Sequence, residues 1–159
     1  MSAYDPKKTE QVHTTLAKQL ALYVTMYSPL QMAADMPENY EKHPDAFRFI
    51  KDVAADWDYS KYLEAEPGDY LTVVRRAKNS SKWFLGAITD EKARKTTITL
   101  DFLPKGKFKA TIYEDAKDAD WQNNPTAYNI RTIEVTSKSK INLNLAAGGG
   151  TAISFEPIK

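Results

Sequence analysis

Carboxylates two residues apart are the first candidates for chemistry in this chain. Glu64 and Glu66 lie in "LEAEPGD", and on an extended strand they would share one face roughly 7 Å apart. An acid and a base can divide proton transfer at such a spacing, but the division needs burial that separates two pKa values. The adjoining "PGD" turn points to solvent, so the pair reads as a surface feature. Asp115, Asp118 and Asp120 in "DAKDADW" lack the glycine and terminal glutamate of a calcium loop and read as a solvated loop. The two histidines, His13 and His43, are far apart and cysteine is absent. They make neither a metal site nor a nucleophile with its base, and both read as caps or surface residues. No residue is assigned a catalytic or metal-ligating role.

The three tryptophans raise a binding alternative, because an exposed ring can stack on the apolar face of a sugar. Trp83 falls inside the apolar run "KWFLGAI" and reads as core, while Trp57 in "ADWDYS" reads as a seal. Trp121, beside Gln122, Asn123 and Asn124 in a polar loop, is the candidate sugar platform, with a loop anchor as the plainer reading.

Two kinds of element must position these residues. In "HTTLAKQLALYVTMY" (13–27), Leu16, Leu20, Tyr23, Val24 and Tyr27 follow helical spacing along one face. Thr14 or Thr15 can cap the start, and Ser28-Pro29 ends the helix. "SPLQMAAD" (28–35) reads as a lone buried strand closing on Asp35, and 37–53 as one or two short helices with Pro37 and Pro44 in first turns. From about residue 60 the pattern changes. "DYLTVVRRAK", "KWFLGAIT", "TTITLDF", "GKFKATIYED", "AYNIRTIEV", "SKINLNL" and "TAISFE" are short strands spaced by turn signals such as "EPGD", "LPKGK" and "AAGGG". They predict an antiparallel β-sandwich. The fold class is therefore mainly β, a C-terminal sandwich over 59–159 preceded by an α/β segment over 1–58. A lone strand leaves backbone hydrogen bonds unpaired, so the segment either lies on the sandwich or belongs to a larger α/β domain.

At 159 residues and a net charge of +1, the chain has room for a real core and no electrostatic footprint for nucleic acid or an anionic membrane. No stretch reaches the roughly 18 apolar residues of a membrane span, and the polar first residues do not read as a signal peptide.

The strings "TLAKQLALYVTMYSPLQMAADMPENYEKHPDAFRFIKDV", "LEAEPGDYLTVVRRAK", "WFLGAITDE", "LDFLPKGKFKATIYEDAKDADW", "NPTAYNI" and "LAAGGGTAISF" closely resemble the C-terminal part of glycoside hydrolase family 97, bacterial α-glucosidases and α-galactosidases. The resemblance covers nearly the whole chain from about residue 12. It implies a (β/α)8 barrel flanked by two sandwiches, with 28–35 as the last barrel strand and the residues from about 60 as the C-terminal sandwich. Asp35 would then stand at a strand C-terminus, the active face of such barrels, as a candidate sugar-binding residue. Glu38 and Asn39 follow it at the rim, where a first-turn helix acid is the plainer reading.

The family's catalytic carboxylates, and the glutamates that hold its calcium ion, would lie upstream of Met1. No cofactor is expected within the chain itself. The implied function is structural support of an α-glycosidase barrel, and the rival is a stand-alone carbohydrate-binding or protein-interaction module. The implied partners are an oligosaccharide in the intact enzyme and either the barrel or a second copy of the chain. The resemblance also implies a periplasmic or cell-envelope location.

Overall fold

A computed structural model describes residues 14–25, 42–53, 56–66 and 68–159. Among these residues two helices, α1 (Leu16–Thr25) and α2 (Pro44–Asp52), precede eight strands. These are β1 (Trp57–Glu66), β2 (Tyr70–Ala77), β3 (Trp83–Thr89), β4 (Arg94–Thr99), β5 (Phe108–Asp115), β6 (Tyr128–Val135), β7 (Lys140–Leu145) and β8 (Gly150–Pro157). Six form one antiparallel sheet in the order β1-β2-β3-β8-β5-β6, and β4 pairs with β7 in a second. The fold is thus mainly antiparallel β, as the strand spacing predicts. The segment 28–35, the helical expectation over 37–41, Asp35, Glu38, Asn39 and His13 lie outside the described residues.

Period-2 alternation divides the central strands between two cores. Val74, Leu85, Ile112, Ile153 and Phe155 face the small sheet and meet Ile98, Leu100, Ile141, Leu143 and Leu145. Their chain neighbours Val73, Phe84, Tyr113 and Ala152 face the other way, against Leu16, Leu20, Tyr23 and Val24 of α1 and Ala46 and Phe49 of α2. This explains why "TVV" and "WFLGAI" are nearly continuous apolar runs: both faces of β2 and β3 are covered. β7, covered on one face, keeps a strict exposed–buried alternation. The sandwich is therefore unequal, with a two-stranded sheet on one side and helices on the other.

The helices fit by local chemistry. The Thr15 hydroxyl accepts the Lys18 N–H at 3.1 Å, capping α1. Pro44 opens α2 behind His43, and the Asp45 carboxylate accepts the Ala46 N–H at 2.8 Å. Phe49 is fully buried, edge-on to Tyr113 at 5.2 Å and to Phe84 at 6.1 Å.

Candidate functional site

The acid pair does not form. Glu64 on β1 accepts from Arg94 Nη2 at 2.8 Å and from the Thr96 hydroxyl at 2.9 Å. The Arg94 guanidinium also stacks 3.3 Å over the Tyr70 ring. Glu64 is half-buried rather than exposed, and its work is to tie β1 of the large sheet to β4 of the small one. Glu66 is exposed.

The three aspartates separate by role. Asp118 Oδ2 accepts from Asn124 Nδ2 at 3.1 Å, and Asp120 Oδ1 accepts the N–H groups of Gln122 and Asn123 at 2.9 Å each, which shapes the loop. Asp115 departs from the expected solvated loop: it ends β5 and is 8% exposed. Its Oδ2 accepts the Ala146 N–H at 2.9 Å and the Gly150 N–H at 3.0 Å, and its Oδ1 is buried without a hydrogen-bond partner. Burial pushes its carboxyl above the ordinary value, against the pull of the Thr15 hydroxyl and those two N–H groups. Among the described residues no group of three or more His, Asp or Glu side chains is placed to hold a metal ion.

The aromatic candidates also separate. Trp83 is core and Trp57 packs edge-on against Phe84 at 5.6 Å. Trp121 is half-buried, its Cβ and ring lying where a side chain on Gly148 would have to sit. Tyr62, 60% exposed, and Tyr59, 41% exposed and edge-on to Trp83 at 5.4 Å, are the exposed aromatics among the described residues. His43 meets Tyr128 edge-on at 5.3 Å, and Tyr128 donates to Asp45. Burial and that carboxylate together raise the Tyr128 pKa.

What the molecule does build is a seat for α1. Gly86 on β3 and Gly150 on β8 let the helix touch the sheet at backbone distance: a Cβ on Gly86 would lie 2.6 Å from the Ala21 carbonyl, and one on Gly150 2.7 Å from Lys18 Cα. At the helix start, Gly148 O accepts the Thr15 N–H at 3.0 Å and Pro125 O accepts the Leu16 N–H at 2.7 Å. At its end, Arg75 of β2, 6% exposed, donates from Nε to Val24 O at 2.6 Å and from Nη2 to Thr25 O at 3.2 Å. Lys18 Nζ donates to Thr89 O at 2.7 Å. Desolvation lowers its pKa, and Asp90 and Asp115 push it back. Sequence reading missed this arrangement because Arg75, Gly86 and Asp115 are all far from α1 in the chain; the one local sign was the pair of arginines inside the apolar strand "LTVVRRA".

Residues 56–156 match the family described as "Glycosyl-hydrolase 97 C-terminal, oligomerisation". The chain belongs to this family. Among curated relatives, the retaining alpha-galactosidase of Bacteroides thetaiotaomicron is 32% identical over 142 residues, which is 89% of this chain and 21% of that protein. A solved glycoside hydrolase family 97 enzyme from Pseudoalteromonas sp. strain K8, in complex with acarbose, is 50% identical with a TM-score of 0.88, over 92% of this chain and 23% of that one. A beta-arabinopyranosidase crystal structure, 24% identical with a TM-score of 0.71, shares the fold. The chain thus spans about a fifth of the length of the family 97 relatives it matches.

Proposed function

We propose that this chain is the C-terminal support of an α-glycosidase whose chemistry resides in a barrel upstream. The observation that carries the reading is the combination of a family 97 C-terminal match with the structural engagement of Glu64 and Asp115, the first tied to Arg94 and the second to backbone N–H groups. In this reading residues 1–58 are the last barrel elements and 59–159 the sandwich domain. Asp35 stands at the end of the final barrel strand, where its carboxylate accepts sugar hydroxyls, and Trp121 offers a peripheral ring to the glycan. The substrate is an α-linked oligosaccharide; relatives solved with acarbose and with panose support the class. The calcium ion belongs to the barrel, and the protein works in the periplasm or cell envelope. The sandwich stabilises the barrel and joins copies of the enzyme, in keeping with the oligomerisation in its family's description.

Chromogenic α-glucoside and α-galactoside offered with calcium to the 159-residue chain test the assignment. Hydrolysis no faster than in buffer is expected. Turnover abolished by Glu64→Gln or Glu66→Gln would place the chemistry inside the chain and end the proposal.

A further inference from the structure

The seat of α1 is assembled from five separate parts of the sequence, which together read its close approach, its free N–H groups and the two poles of its dipole. Gly86 and Gly150 admit a helix at backbone distance: a Cβ on Gly86 would meet the Ala21 carbonyl, Val24 Cβ and Thr25 Cγ2, and one on Gly150 would meet Lys18 Cα and Cβ. The carbonyls of Pro125 and Gly148 take up N–H groups at the helix start, where an α-helix has donors without internal partners. Asp115 lies buried beside Thr15 at that same positive pole. Arg75 places a buried guanidinium on the carbonyls of the opposite, negative pole. A helix laid in the reverse direction would set its carbonyls against Asp115 and its N–H groups against Arg75, so that its dipole opposed both buried charges.

We infer that the helix-bearing face of the six-stranded sheet is a receptor for one closely seated helix in one polarity, and that this receptor is the grip by which the module holds its neighbouring domain. The family match begins at residue 56 and leaves α1 outside it, yet Leu16, Leu20 and Val24 supply much of the module's second core. The grip's meaning rests on the reading of 1–58 as barrel elements. Its existence does not, because it is a property of contacts within this chain.

A protease recognition sequence with Gly-Ser flanks, inserted between Glu38 and Asn39 of the full chain and cut after folding, tests the receptor. The piece carrying α1 is expected to co-elute with the piece carrying the sheet on size exclusion, held by non-covalent contacts. In the Arg75→Met chain its dissociation constant is expected to rise roughly tenfold or more, the scale of a lost charged hydrogen bond, with Arg75→Lys between. Gly86→Ala probes the same seat without touching a charge, since the atoms nearest its new Cβ all belong to α1. It serves if circular dichroism shows that Arg75→Met does not fold. Separation of the two pieces in the unsubstituted cut chain, or an unchanged dissociation constant in the folded variants, would overturn the inference. Either result would leave the barrel reading to the turnover assay.

Discussion

Arg75 Nε donates to the Val24 carbonyl at 2.6 Å, joining positions 51 residues apart in the chain. The same guanidinium reaches Thr25 O at 3.2 Å and the Ser60 hydroxyl at 2.7 Å. It places a positive charge on the negative end of α1. Arg75→Met would leave the Val24 carbonyl buried without its donor. The unfolding free energy is expected to fall by about 2–4 kcal/mol, read from urea midpoints at constant slope, with Arg75→Lys intermediate. An unchanged midpoint would mean that the helix end is held by something else.

Gly86→Ala is expected to destabilise the chain by about 1–3 kcal/mol, because overpacking a filled core forces backbone to move. The new methyl would stand 2.6 Å from the Ala21 carbonyl and 2.9 Å from Val24 Cβ. In a loosely seated helix the same substitution would be neutral or stabilising, since it removes glycine's unfolded-state entropy. The sign of the change decides.

Asp115 gives a pH signature. Burial raises its carboxyl in the folded chain above the ordinary 3.8, so the native state binds this proton more tightly than the unfolded state does. Its contribution is therefore unfavourable above the raised pKa. That penalty fades as pH falls toward 3.8, below which both states are protonated. Asp115→Asn removes this dependence. The unfolding free energy of the parent minus that of the variant is expected to decrease as pH rises between about 4 and 7. A flat or rising difference would show that the carboxylate is stabilised by its partners more than burial costs it.

Glu64→Gln weakens the tie to Arg94, whose partners are each about a quarter exposed, with side-chain exposures of 24% and 26%. The loss is expected to stay within about 1 kcal/mol, as for other partly exposed ion pairs, and to shrink as salt is added. A larger loss that salt does not touch would contradict the assignment as a surface tie.

Seven of the eight strands were legible from composition and turns, and the reason is physical. β7 alternates because one face is wet; β2 and β3 are apolar throughout because both faces are covered. β1, "WDYSKYLEAE", is a polar edge strand with two register shifts against β2, so its pattern hid it apart from the shared face of Glu64 and Glu66. α1 was visible from its spacing, and of the two caps its sequence offered, Thr14 or Thr15, Thr15 is the one used. Its seat was not, because long-range hydrogen bonds leave no periodicity. Asp115 shows the same limit: within "DAKDAD" it resembles its exposed neighbours, and only the approach of the turn at 146–150 buries it.

Native-state amide exchange of the intact chain tests most directly whether α1 is a member of the sandwich's fold. The account requires the amides of Leu20 to Val24 to open only with the amides of β3 and β8, at the free energy of global unfolding. Exchange of those helix amides on the order of a hundredfold faster than the central strands, a local opening of less than the global free energy by about 2.7 kcal/mol or more, would contradict it.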